Sequence, residues 1–256
     1  MSLLHVDFFS NALGEAVNMD VLLPDKPCYP DPAEHRKYPV LYLLHGLSDD
    51  HTIWQRRTRI ESYLAGKNLV VVMPSTHRAW YTNTVSGLKY FDLVAREIPE
   101  FCKANFPIAE GRENTFVAGL SMGGYGALKI ALTLPDQFSA AASLSGAMDI
   151  CASFKRRKSS ESINEFIHIF GKPRSVKGSE NDVYALADNL LASDAPKPKF
   201  YLACGTEDTL LADNRKFKKT YFNKFDMTYE EGPGTHNWDF WDIYIQKVLA
   251  WLPIEK

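Results

Sequence analysis

The stretch TFVAGLSMGGYGALKI, residues 115–130, sets an apolar run of strand length against a helix-like run. Four glycines and one serine crowd the junction between Gly119 and Gly126. Glycine inside either element costs roughly 0.5–1 kcal/mol relative to alanine. A chain that keeps so many of them at one junction needs a close backbone approach or an unusual dihedral there.

The rest of the chain repeats the strand–helix alternation. LLHVDFF and AVNMDVLL predict an opening antiparallel pair. Further strands are predicted at VLYLLH (40–45), LVVVMP (69–74), TFVAGL (115–120), FSAAASLSG (138–146), KFYLACG (199–205) and MTYEEG (227–232). Helical spacing falls at 52–65, 90–105, 122–134, 212–225 and 238–251. Such alternation predicts an α/β fold, a mostly parallel sheet covered by helices on both faces. A chain of 256 residues suits one such domain, 1–256. Between 147 and 195 the pattern weakens, and this segment reads as a small cap-like insertion above the sheet. Within it ESINEFIHIFG predicts a short amphipathic helix, and the basic run in KRRKSSES (155–162) a solvated face.

Charge and cysteine usage narrow the function classes. With 29 basic and 31 acidic side chains the net charge is −2, which argues against nucleic acid or an anionic membrane as partner. Cys28, Cys102, Cys151 and Cys204 lie far apart with no C-x-x-C or zinc spacing, as expected of free thiols in a reducing compartment. The start, MSLLHVDFFSNALGEAV, lacks the basic and apolar regions of a signal peptide, and no apolar stretch approaches eighteen residues. A cytoplasmic protein that does not enter the membrane is expected. Homo-oligomerisation is left open.

Gly119-Leu120-Ser121-Met122-Gly123 fits G-x-S-x-G, and it ends a predicted strand and opens a predicted helix, the setting of a nucleophile elbow. Ser121 is the candidate nucleophile. The helix start beside it leaves free N–H groups and a positive dipole end. A serine hydroxyl needs a base, and the base an orienting acid, in the chain order Ser…Asp/Glu…His. His236, in the loop GPGTHNW, is the candidate base; His168, in EFIHIF, reads as structural or as part of a lid. Glu207 and Asp208 both lie just past the predicted strand KFYLACG, at the edge where catalytic groups gather. Asp208 is preferred, Glu207 is its rival, and Asp213 reads as a helix N-terminal charge. An oxyanion hole is expected from the N–H groups of Met122 and Leu47, with Gly46 as the alternative. His45 reads as a support of that turn. Trp54, Trp80, Tyr81 and Phe166 are candidate walls of a compact substrate pocket.

In order and spacing, YLLHGLSDDHTIW, VVMPSTHRAWYTNT, FVAGLSMGGYGALK, CGTEDTLL and GTHNW resemble the esterase D-like branch of the α/β hydrolases, with the closest likeness to bacterial tributyrin esterases. The resemblance spans nearly the whole chain. It implies an α/β-hydrolase fold, Ser121 as nucleophile, Asp208 as acid, His236 as base, and Leu47 and Met122 at the oxyanion positions. It implies a carboxylesterase acting on small-molecule esters of short acyl chains, around C2–C6, with no metal or organic cofactor. Some members act on acetylated or feruloylated carbohydrate, and related S-formylglutathione hydrolases use the same triad. Their longer SPRG-type segment is replaced here by STHRAWYTNT, which points away from a glutathione thioester. The non-enzymatic alternative, a hydrolase fold kept as a binding module, sits poorly with three triad candidates in one chain.

Overall fold

The structure is a computed structural model that describes residues 1–25 and 37–254; Cys28 lies outside them. Eight strands form one sheet: β1 (Ser2–Ser10), β2 (Glu15–Leu23), β3 (Val40–Leu44), β4 (Val70–Pro74), β5 (Thr115–Leu120), β6 (Ala140–Leu144), β7 (Lys199–Gly205) and β8 (Met227–Gly232). Their spatial order is β1-β2-β4-β3-β5-β6-β7-β8. β1 and β2 are antiparallel, as the sequence predicts, and β2 meets β4 antiparallel; every later pair is parallel. The fold is the predicted α/β hydrolase.

Burial explains the strand sequences. VLYLL in β3 and VVVMP in β4 are buried throughout, so they read as unbroken apolar runs. β1, at the sheet edge, alternates exposed and half-buried residues. Within β3, Val40, Tyr42 and Leu44 enter the core on one face and Leu41 and Leu43 the core on the other.

The helices are α1 (Ile53–Arg57), α2 (Ile60–Tyr63), α3 (Tyr90–Asp92), α4 (Ile98–Asn105), α5 (Met122–Thr133), α6 (Ile150–Arg156), α7 (Ser160–Phe170), α8 (Val183–Leu191), α9 (Leu211–Tyr221) and α10 (Trp238–Trp251). The single helix expected over 52–65 is two. Thr58 turns extended, its hydroxyl donating to the Trp54 carbonyl at 2.5 Å and accepting the Ile60 N–H at 3.1 Å. A threonine that offers the backbone such bonds ends one helix and starts the next. α3 and α4 are joined by a π-helical turn, Leu93–Glu97. Pro99 supplies no N–H to the turn before it and its ring crowds that turn's carbonyls, which accounts for the widening.

α6, α7 and α8 occupy the segment between β6 and β7, and α8 packs against α5. Side chains of Asp149, Ser159 and Asp182 cap their starts. The basic run departs from a purely solvated face. Arg156 pairs with Asp213 at 2.7 Å, and the Arg157 guanidinium lies 3.3 Å from the centre of the Phe166 ring. Among the described residues no helix is long and apolar enough to cross a membrane.

Candidate active site

The register carries Leu44 beside Gly119, Leu120 beside Leu144 and Gly205 beside Gly232. The loops that leave β3, β5, β7 and β8 therefore open along one edge of the sheet, and the candidate residues sit on them.

Ser121 stands at the β5–α5 junction with φ 52° and ψ −113°, a strained conformation for a residue with a side chain. The glycines around it allow the turn. A Cβ on Gly119 would lie 2.4 Å from the Gly123 carbonyl oxygen, and one on Gly123 would lie 2.6 Å from the carbonyl oxygens of both Leu44 and His45. Gly124 lets the helix start approach Ser143 and Gly146, as expected. Gly126 has a different neighbour: a Cβ there would lie 2.4 Å from the Tyr81 ring, so its absence makes room for that ring. The strain is balanced by hydrogen bonds, since the Ser121 carbonyl accepts the Tyr125 and Ala147 N–H groups and its own N–H donates to Leu144.

His236 reaches Ser121 from the β8–α10 loop. Its Nε2 is 2.9 Å from Ser121 Oγ, and its Nδ1 lies 2.9 and 3.1 Å from the two oxygens of Asp208. With Nδ1–H donated to the carboxylate, Nε2 is free to accept the serine proton. Burial opposes charge on Asp208, but bonds from His236 and from the Leu210 N–H at 2.7 Å hold its carboxyl below the usual range. Glu207, the rival acid, is exposed and accepts the Gly234 N–H at 2.7 Å, so it fastens the base of the histidine loop. Asp213 lies in the first turn of α9, as expected, and is the partner of Arg156.

Met122 is the first residue of α5, so its N–H has no partner within the helix. The Leu47 N–H, in the loop after β3, also donates to no acceptor among the described residues. Gly46, the alternative donor, has the Asp49 carboxyl beside it. His45 is buried between Gly46 and Thr76: Nδ1–H donates to the Gly46 carbonyl at 2.7 Å and Nε2 accepts the Thr76 N–H at 3.0 Å. Burial pushes its pKa down to about 4, so it braces the turn as a neutral ring.

The four aromatic candidates do not wall a pocket. Trp54, Tyr81 and Phe166 have no exposed surface and Trp80 only 4%. Trp54 belongs to the core on the opposite face, where its indole N–H donates to the Leu44 carbonyl at 3.1 Å. Tyr81 donates its hydroxyl to the His45 carbonyl at 2.9 Å, and Trp80 packs edge-on against Tyr125 and Phe166. These rings hold the loops that carry the site. His168 stands apart from the triad residues and lines, with Arg78 and Glu165, a cavity of about 480 Å³ beside α7.

Two supporting residues escaped the sequence reading. Ser145 follows β6 with φ 51° and accepts the Trp241 indole N–H at 3.1 Å; Trp241 in turn stands edge-on to the His236 ring at 5.0 Å. The only sequence hint was the SLSG that ends a predicted strand at the active edge.

A serine on a strand-to-helix turn, within reach of a carboxylate-backed imidazole, places the protein among the serine hydrolases of the α/β-hydrolase fold. The chain belongs to the family described as "Putative esterase", which matches residues 10–252. It is 34% identical to an acetyl esterase of Caldicellulosiruptor saccharolyticus over 261 residues, 98% of each chain. Among solved structures it superposes on the substrate-bound fluorophosphonate-binding serine hydrolase F of Staphylococcus aureus with a TM-score of 0.91, at 33% identity over 98% of both chains. It also superposes on an S-formylglutathione hydrolase of the same organism with a TM-score of 0.87, at 33% identity over 98% of this chain and 99% of that one.

Proposed function

We propose that this esterase hydrolyses short-chain acyl esters in the cytoplasm by two-step acyl transfer through Ser121. The observation that carries the reading is the unbroken line of contacts from Ser121 Oγ through His236 to Asp208. Ser121 Oγ attacks the ester carbonyl carbon while His236 Nε2 takes the hydroxyl proton. Asp208 keeps Nδ1 protonated and stabilises the imidazolium without itself taking the proton. The Leu47 and Met122 N–H groups meet the oxyanion, and one such donor is typically worth about 10²–10³ in rate. The carbon–oxygen bond to the alcohol then breaks, and His236 returns the proton to the departing oxygen. Water, deprotonated by His236, attacks the acyl-enzyme and releases the acid and Ser121. The acetyl esterase relative supports a small acyl group.

The test is hydrolysis of p-nitrophenyl acetate, butyrate, octanoate and palmitate by the wild type and Ser121→Ala. Turnover should peak at the short chains and fall by about 10⁴-fold or more in the variant, with its circular dichroism intact. Retained activity in Ser121→Ala would overturn the nucleophile. The S-formylglutathione hydrolase neighbour favours a second reading, a thioesterase. Rates on the ester and the thioester of one acyl group separate the two.

A further inference from the structure

We propose that Arg78 is a positioning residue for the oxyanion hole, holding the loop that carries Leu47 in its working conformation. The proposal deepens the esterase reading and rests on Leu47 N–H as an oxyanion donor.

Arg78 lies in the loop after β4. Its guanidinium is shared between two segments. Nε and Nη2 face the carboxylate of Glu165 on α7, the Nη2 contact measuring 2.9 Å, while Nη1 donates to Ser48 Oγ at 2.8 Å. Ser48 directly follows Leu47 and has φ 72°. It sits inside a tight turn closed by the Asp49 N–H on the Gly46 carbonyl. A positive φ at the third position of a turn is a role that glycine or asparagine fills without strain. A serine there has to be held, and the contact that holds its side chain comes from Arg78.

The chemistry suits arginine and no other cation. A planar fork can present two N–H groups to a carboxylate and a third to a hydroxyl on its other side, in a fixed relative orientation. Glu165 sets the direction of the fork; the fork holds Ser48; and Ser48 keeps closed the turn whose Asp49 N–H bonds the Gly46 carbonyl, on the same peptide as the Leu47 N–H. Arg78 also lines the cavity of about 480 Å³ beside α7, and its contacts join the insertion to the oxyanion loop. One other tie acts on that same peptide: the His45 Nδ1–H also donates to the Gly46 carbonyl. It does not fix Ser48.

The experiment is a double-mutant cycle on p-nitrophenyl butyrate, with affinity for butylboronic acid, which forms a tetrahedral adduct on the serine, as the second readout. Arg78→Met and Ser48→Ala should each lower kcat by about tenfold, part of the 10²–10³ that a whole oxyanion donor supplies. KM should stay within about twofold, and boronate affinity should fall by the same factor as kcat. The double variant should be no slower than either single one. Arg78→Lys keeps the charge without the fork and should resemble Arg78→Met. The inference fails if Arg78→Met lowers only Tm, if Ser48→Ala keeps wild-type kcat, or if the two losses multiply. Loss of the esterase reading itself would look different: Ser121→Ala would retain turnover, or the wild type would have none.

Discussion

Gly123→Ala tests how closely the nucleophile turn and the oxyanion loop are built together. The new Cβ would stand 2.6 Å from the carbonyl oxygens of Leu44 and His45 and 2.9 Å from the Leu44 carbonyl carbon, where ordinary contact starts at 3.4 Å. All three neighbours are backbone, so no side chain can swing aside. Either α5 with Ser121 or the end of β3 with Leu47 has to withdraw by about 0.8 Å. Overpacking of this kind costs about 1–3 kcal/mol of stability, which for a chain of this size lowers Tm by roughly 5 °C. The catalytic cost is larger, because the displaced parts are the two halves of the reacting geometry, and a misplacement of about 1 Å is worth about 10² in rate. The assay is kcat/KM on p-nitrophenyl butyrate, normalised to sites titrated with a fluorophosphonate and read beside a thermal melt. A variant within about threefold of wild type at unchanged Tm would refute the argument that this backbone contact sets the site.

Two further expectations follow from charges near the site. Asp208→Asn should cripple turnover by about 10⁴-fold, since the imidazole loses the partner that fixes its tautomer; Glu207→Gln should lose far less, because Glu207 only fastens Gly234. The reverse order in kcat would make Glu207 the acid. Lys129 is buried in α5, donating to Thr82 Oγ1 at 2.8 Å and Asn181 Oδ1 at 2.6 Å, with its ammonium 5.0 Å from the centre of the Phe91 ring. Burial pushes its pKa down from 10.5 to about 7, against the opposing pull of Glu180 and Asp92. Above pH 7 the unfolded chain therefore holds a proton that the folded chain has released. Stability should rise between pH 7 and 9, by about 1.4 kcal/mol per pH unit at most. Urea unfolding of Lys129→Met should lack that rise, and an equal slope in the variant would rule out Lys129 as its source.

What could be read from the sequence and what could not divides along chain distance. The β5–turn–α5 unit was legible because its pattern is local: an apolar strand, glycines where backbone must touch backbone, and a helix start. The loops of Asp208 and His236 were legible because each leaves a recognisable strand. The aromatic residues were not, since apolar character says that a side chain is buried but not in which layer; Trp54 went to the opposite face of the sheet. The break at Thr58 turned on one hydroxyl competing for backbone bonds. Ser145 and Arg78 are functional through partners 96 and 87 positions away, Trp241 and Glu165, and no local pattern marks such pairs.

The parallel core also bears on how the enzyme comes into being. Ser121 and His236 are 115 positions apart and meet only when β5 through β8 have all paired. Each parallel pairing closes a long loop before its contacts repay the lost entropy, which places this topology among the slow folders. A partly assembled sheet would hold every catalytic residue and still be inert. Ester turnover is thereby a reporter of completed folding, and a refolding chain regains its circular dichroism before it regains its chemistry.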